Sequence, residues 1–123
     1  MTTHIREENL QVTATEDLNT AAQRYKAITF AGTIAQDTKS VAGILRFGAS
    51  SGGIASAVIE GVTKGDCSTT VTTIGWPLKV VTSGWLAAAV SGDMVIGRAL
   101  TACASGDRVA LTLDCKAPTV SNV

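Results

Sequence analysis

Apolar residues along this chain come in short runs that alternate with polar residues and end at glycine. The run RVALTLD, residues 108–114, places Val109, Leu111 and Leu113 on one side and polar or small residues on the other. A period of two is the signature of a half-buried β-strand. The chain is therefore predicted to be mainly β.

Other runs rich in β-branched residues predict further strands. They are YKAITFAG from residue 25, VAGILRF (41–47), IASAVIEGV (54–62), STTVTTI (68–74), PLKVV (77–81) and MVIGRALTA (94–102). Within the second run, Gly43 predicts a bulge or a close backbone approach. Only WLAAAV, residues 85–90, has helical propensity, and its length supports no more than a turn or so. These runs predict a small, mainly β domain with one or two short helical turns at most.

Three Gly-Asp pairs punctuate the body and predict tight turns, because Asp accepts local backbone hydrogen bonds and Gly tolerates positive φ. They are Gly65-Asp66, Gly92-Asp93 and Gly106-Asp107. A calcium loop needs several oxygen ligands within one short segment, whereas these aspartates are single and far apart. We therefore expect no metal site.

The chain divides into a polar N-terminal arm (1–24), a β-rich domain (25–116) and a C-terminal coil (117–123). Ile5, Leu10, Val12 and Leu18 in the arm are too irregularly spaced to form a core of their own. The sequence leaves two interpretations of the arm open. It is either a disordered leader or a segment that becomes ordered on a partner.

Charge gives no reason to expect binding to nucleic acid or to an anionic membrane. Ten basic residues balance ten acidic ones, although residues 1–23 carry −3 and the remainder +3. The acidic leader is thus expected to lie on its own body or on a basic partner surface. No run approaches the roughly 18 apolar residues that span a bilayer, and the N-terminus has no signal-peptide pattern. The protein is expected to act without crossing a membrane.

The sequence offers no candidate catalytic group. His4 is the only histidine and lies in the arm, where no scaffold fixes it. Cys67, Cys103 and Cys115 have neither a nearby base nor metal-ligand spacing, and they are expected to be free thiols in a reducing compartment. No catalytic or cofactor-binding motif occurs, so neither an enzyme nor a cofactor is predicted.

Trp76 and Trp85 are the largest side chains in a chain that has only 4% aromatic residues. Each lies beside a glycine, and large aromatics commonly anchor cores and interfaces. We expect them to anchor the core or a subunit interface; a ligand surface is the other interpretation.

Three stretches, in order, resemble the small capsid cement or head decoration proteins of tailed bacteriophages, a group to which the head decoration protein of phage lambda is structurally similar. They are DLNTAAQRYKAI (17–28), VAGILRFGASSGGIASAVIEGVTK (41–64) and SGDMVIGRALTACASGDRVALTL (91–113). The chain departs from the family at Gly48-Ala49, where the family commonly has a proline, and at 67–73, which does not align.

The resemblance implies a small β-tulip or β-barrel-like domain that assembles as a homotrimer on the outer surface of a phage head, at three-fold or quasi-three-fold positions. Its implied partners are its own copies and the major capsid protein, without direct contact with nucleic acid or membrane. The resemblance also implies that the protein is synthesised in the bacterial cytoplasm and is located on the virion. The implied role is to stabilise the head against the pressure of packaged DNA.

Shell contact is predicted for Ile5, Leu10 and Val12, because apolar side chains in a polar leader are natural anchors. The alternative function is a carbohydrate- or ligand-binding β-module displayed on a virion or cell surface, in which the tryptophans would contact the ligand.

Overall fold

The computed structural model describes residues 8–19, 23–115 and 119–120. Half of the residues lie in strands, which confirms the mainly β class, and the main sheet is a nearly closed barrel. The single helical element of the described part is a 3-10 turn at Thr82–Gly84. The strands are β1 (Glu8–Thr13), β2 (Ala27–Thr29), β3 (Val41–Phe47), β4 (Ile54–Asp66), β5 (Pro77–Val80), β6 (Leu86–Ala88), β7 (Met94–Val95), β8 (Gly97–Ala99), β9 (Arg108–Asp114) and β10 (Thr119–Val120).

Strand β4 organises the eight-stranded sheet, whose order is β2-β3-β4-β9-β8-β5-β6. Its first half pairs with β3 and with β1, and its second half pairs with β9, all antiparallel. Strand β1 therefore joins the sheet at β4, outside the main strand path. A separate two-stranded sheet joins β7 to β10, which lies within the segment predicted as C-terminal coil.

The main core fills the barrel with aliphatic side chains, as a chain poor in aromatics requires. In β9, Val109, Leu111 and Leu113 point inward, which confirms the period-two prediction. Gly43 confirms the predicted close approach, since a Cβ there would lie 2.5 Å from the Val58 carbonyl oxygen. The buried members of this core are Ala27, Ala35, Val41, Ile44, Val58, Cys67, Val71, Leu78, Val80, Leu86, Ile96, Ala99, Val109, Leu111 and Leu113.

A second, smaller core lies on the outer side of the sheet. Strand β3 is buried on both faces, so Ile44 belongs to the barrel core while Leu45 packs with Leu18 outside it. The backbone N–H of Leu18 donates to Ala49 O at 2.8 Å, and that of Ala14 donates to Gly53 O at 2.8 Å. The part of the predicted arm that the structure describes before residue 20 is therefore ordered on the protein's own body.

Two local predictions were wrong. Gly65-Asp66 does not form a turn but ends strand β4, because the missing Cβ at Gly65 makes room for Leu86 and Asp66 is drawn into an ion pair. Residues 68–74 form no continuous strand; they make an isolated bridge at Val71↔Cys103.

Candidate functional site

Asp66 is the buried centre of a charged network. It is 8% exposed, as is Lys26, whose Nζ contacts Asp66 Oδ2. The Nε of Arg108 donates to Asp66 Oδ1 at 3.1 Å. Both carboxylate oxygens are thus paired with cations. The three residues link the segment just before β2 to the end of β4 and the start of β9.

Aromatic rings cover the cations of this network. The ammonium of Lys26 lies 4.0 Å from the centroid of the Trp85 ring, and the guanidinium of Arg108 lies 4.4 Å from that of Tyr25. A second guanidinium, that of Arg24, lies 5.9 Å from the Tyr25 ring. Such contacts are favourable and hold flexible cationic side chains in place.

Unusual backbone conformations position both rings. Tyr25 has φ +68°, a left-handed value that is uncommon for a bulky residue, and its carbonyl accepts the N–H of Asp66 at 3.2 Å. Trp85 follows Ser83 and Gly84, which have φ +61° and +74°. A side chain at Gly84 would place its Cβ 2.8 Å from the Ala27 carbonyl oxygen, so the turn approaches β2 as closely as only glycine permits.

The network has a structural role, because the two oxygens of the Asp66 carboxylate hold cations from two other parts of the chain. Within residues 8–19, 23–115 and 119–120, no three acidic, histidine or cysteine side chains gather as a metal site. In the same part of the chain, every buried side-chain nitrogen and oxygen has a hydrogen-bond partner. We find no catalytic arrangement among the described residues.

An open pocket of about 270 Å³ lies on one side of the network. We call it the basic pocket, because three cations and no acidic side chain line it. The Nε of Arg24 donates to the backbone oxygen of Arg46 at 3.4 Å, and the guanidinium of Arg46 lies 5.7 Å from the Phe47 ring. Its lining residues are Arg24, Tyr25, Arg46, Phe47, Thr63 and Lys64.

A second hollow, of about 430 Å³, lies beside Trp85. In this Trp85 hollow, Gln36 Oε1 accepts the backbone N–H of Ser83 at 3.0 Å and Glu16 Oε1 accepts that of Ile34 at 2.7 Å. Its walls thus combine an aromatic ring with amide, hydroxyl and carboxylate groups. The lining residues are Glu16, Gln23, Lys26, Ile34, Gln36, Ser83 and Trp85.

Two of the three residues predicted to contact the shell, Leu10 and Val12, lie on β1. Ile5 lies outside the described residues. On β1, Leu10 is partly exposed and pairs with Ala57, whereas Val12 is only 6% exposed. Their contact with a shell stays a prediction.

The two tryptophans have different surroundings. Trp76 packs against the barrel core, and its Nε1 donates to the Ala89 carbonyl at 3.0 Å. Trp85 is also partly buried, but it faces Lys26 and the Trp85 hollow. Neither location tests the predicted subunit interface.

All three cysteines are free thiols in the structure. Burial raises the pKa of Cys67 to about 11, with a further contribution from the neighbouring Cys103 thiol. Burial likewise raises the pKa of Cys115 to about 12. Both thiols are therefore protonated and poorly nucleophilic at neutral pH.

Sequence reasoning missed the charged network. The one local signal was the tripeptide Arg24-Tyr25-Lys26, which places an aromatic residue between two cations just before the first predicted strand. The role of Asp66 in this network was not predicted, because a Gly-Asp pair usually indicates a turn.

Comparison with known proteins supports the fold. No protein-family model and no curated protein matches the chain. The solved structure of the head fiber gp8.5 N base in bacteriophage phi29 matches with a TM-score of 0.66 and 11% sequence identity, covering 89% of this chain and 96% of that one. At this identity the likeness shows a shared fold, which a phage head fiber protein also uses. Membership of the decoration family stays a prediction.

Among the residues that the structure describes, no helix has the length and apolarity needed to cross a bilayer.

Proposed function

We propose that this protein is a structural component of a phage virion, a decoration protein that binds the outer surface of the head as a homotrimer and stabilises it. One observation carries the proposal: the fold match to a phage head fiber base extends over nearly the whole of both chains. The three ordered stretches that resemble decoration proteins support the same role from the sequence. No catalysis is required.

The described surface suits a protein that assembles with other proteins. Several large apolar side chains are more than a third exposed, and such side chains provide contact area when they are gathered into an interface. Attachment through a trimer would also multiply contacts that are individually weak. The exposed residues are Phe30, Phe47, Ile54, Ile74, Val90 and Leu100.

The test is to add the purified protein to expanded phage heads that lack it and to measure bound copies by co-sedimentation. We expect saturable binding and heads that resist heating better than undecorated ones. Failure to bind heads at any protein concentration would overturn the proposal.

The leader is tested separately by deleting residues 1–7, which include Ile5 but leave β1 intact. We expect this variant to bind heads less tightly than the full chain. A deletion that extended to residue 15 would also remove Val12 and Ala14, which are buried on the protein's own sheet, and would confuse binding with folding. Unchanged binding by the shorter deletion would exclude residues 1–7, and with them Ile5, as a shell contact.

Carbohydrate binding is a second candidate, favoured by the Trp85 hollow. An aromatic ring beside amide and hydroxyl groups can stack on a sugar and hydrogen-bond its hydroxyls. Screening immobilised polysaccharides with the wild type, Trp85→Ala and Gln36→Ala tests this role. Trp76→Phe is the control, because Trp76 packs against the core. Binding that both hollow variants lose would establish the function, and absence of binding by the wild type would exclude it for the sugars screened.

A further inference from the structure

The basic pocket places three cations around one small volume without an acidic lining residue. Arg24 precedes β2, Arg46 lies near the end of β3 and Lys64 lies in the second half of β4. The fold therefore brings together cations from separate parts of the chain. A cluster of like charges of this kind attracts an anion.

The two arginines of the pocket are held in place before any ligand binds. Arg24 is fixed by the bond from its Nε to the backbone of Arg46 and by the Tyr25 ring, while Phe47 supports the Arg46 guanidinium. Among the described residues, the terminal nitrogens of Arg24 and the ammonium of Lys64 make no hydrogen bond or ion pair. These groups are available as hydrogen-bond donors to a ligand.

The backbone at the pocket is strained. Tyr25, which forms its wall, has φ +68°. Strained non-glycine residues persist where the surrounding structure fixes them, and they concentrate at binding sites. Strain and clustered charge occur together here.

We propose that the basic pocket binds carboxylate groups of an acidic peptide segment of the capsid shell, a proposal that rests on the function proposed above. Guanidinium groups match carboxylates in geometry and can bind them through two parallel hydrogen bonds. The Phe47 ring is 56% exposed and offers apolar contact to the methylene groups of Glu side chains. The pocket has room for one or two side chains, not for a folded domain.

The charge pattern favours a peptide over a nucleic acid. Nucleic-acid surfaces carry basic residues in a continuous track along the phosphate backbone. Here the basic cluster is local: Asp66 lies two residues beyond Lys64 on β4, and Glu60 lies four residues before it. The whole chain has a formal net charge of zero.

Charge-reversal variants test the pocket in the head-binding assay. We expect Arg24→Glu and Lys64→Glu each to weaken binding by about tenfold or more at low salt, because the pocket loses a donor and gains a repulsive charge. Lys39→Glu is the matched control, since it makes the same charge change at an exposed residue away from the pocket. We expect it to bind as the wild type does. Should a reversal variant fail to fold, Arg24→Gln and Lys64→Gln replace it.

The outcomes separate this inference from the proposed function. If the wild type does not bind heads, the proposed function fails. If it binds and the two pocket variants bind as tightly as Lys39→Glu, the pocket assignment alone is overturned. With the free protein, we expect a hexaglutamate peptide to bind and Lys64→Glu to abolish that binding. Equal or tighter binding of a DNA oligonucleotide with six phosphates would overturn the choice of carboxylate.

Discussion

The carboxylate of Asp66 neutralises two cations at once, so it stabilises the fold through partners far away in the sequence. Removing one partner of a buried ion pair costs about 3–5 kcal/mol, because the remaining charge is left without compensation. We expect Asp66→Ala to lower the free energy of unfolding by about that amount, since Lys26 stays buried against Trp85. Denaturant unfolding measures the loss.

The control for Asp66 is the more exposed pair of Lys79 and Asp93, which are 2.9 Å apart with 29% of each side chain exposed. Ion pairs of this kind contribute about 1 kcal/mol or less. We expect Lys79→Gln to have a correspondingly small effect. Equal losses in the two variants would contradict a structural role for the buried network.

The raised pKa values of Cys67 and Cys115 predict that the folded protein becomes less stable at alkaline pH. A thiol ionises at about pH 9 when unfolded but at about 11 or 12 at Cys67 and Cys115 in the folded protein. The unfolded state therefore loses these protons first, and the folded state loses stability as pH rises from about 9 through about 12. Below pH 9 the thiols add no pH dependence.

Alkylation of the native protein by iodoacetamide checks these pKa values. We expect the reaction at Cys67 and Cys115 to accelerate up to about pH 11, rather than to level off near pH 9 as it does for exposed thiols. Mass spectrometry of each peptide gives the rates. A plateau near pH 9 at either cysteine would contradict its burial.

Whether the role of a residue could be predicted depended on how close in the sequence the residues lie that determine it. The inward positions of β9 followed from period two alone. Asp66 could not be predicted, because its partners Lys26 and Arg108 are 40 and 42 residues away and only the folded barrel brings them together.

Among the elements, β1 and the segment that follows it depend most on tertiary contacts. Leu18 is 1% exposed and packs with Leu45 in the second core. We expect Leu18→Ala to cost about 2–5 kcal/mol, as truncation of a buried leucine does, and to speed proteolysis of residues 14–19. Unfolding and limited proteolysis measure the two effects.

Leu10→Ala is the matched control, because Leu10 lies on β1, is less buried than Leu18 and belongs to neither core. We expect a smaller loss of stability from this truncation. If Leu10→Ala and Leu18→Ala were equally destabilising, the second core would not be what holds the segment to the sheet.

Strands with a strong apolar pattern could be predicted, and β3 occupies the predicted residues 41–47. Strand β1 could not be predicted, because its polar sequence ENLQVT has few apolar side chains and the strand forms by pairing with β4. Residues 68–74 are rich in β-branched side chains but form only an isolated bridge, at Val71. High β propensity does not produce a strand where no neighbouring strand pairs with the whole segment.

For the whole molecule, the mainly β class followed from many short strands, while the strand order did not. The residues that pair between β4 and β9 are more than forty positions apart in the sequence, and no local pattern specifies their pairing. The charge balance predicts weak long-range steering toward a charged surface, so we expect any attachment to a head to depend on local features such as the basic pocket.

The assembly prediction also belongs to this scale. We expect the purified protein to form a homotrimer, with a mass by light scattering of three times the 12.6 kDa chain. A monomer at all concentrations would require trimers to form only upon docking.

Electron cryo-microscopy of heads with and without the protein tests the central claim most directly. The account predicts added density on the outer surface, at the three-fold or quasi-three-fold positions, into which three copies of this barrel fit. Heads whose outer surface is identical with and without saturating protein would contradict it.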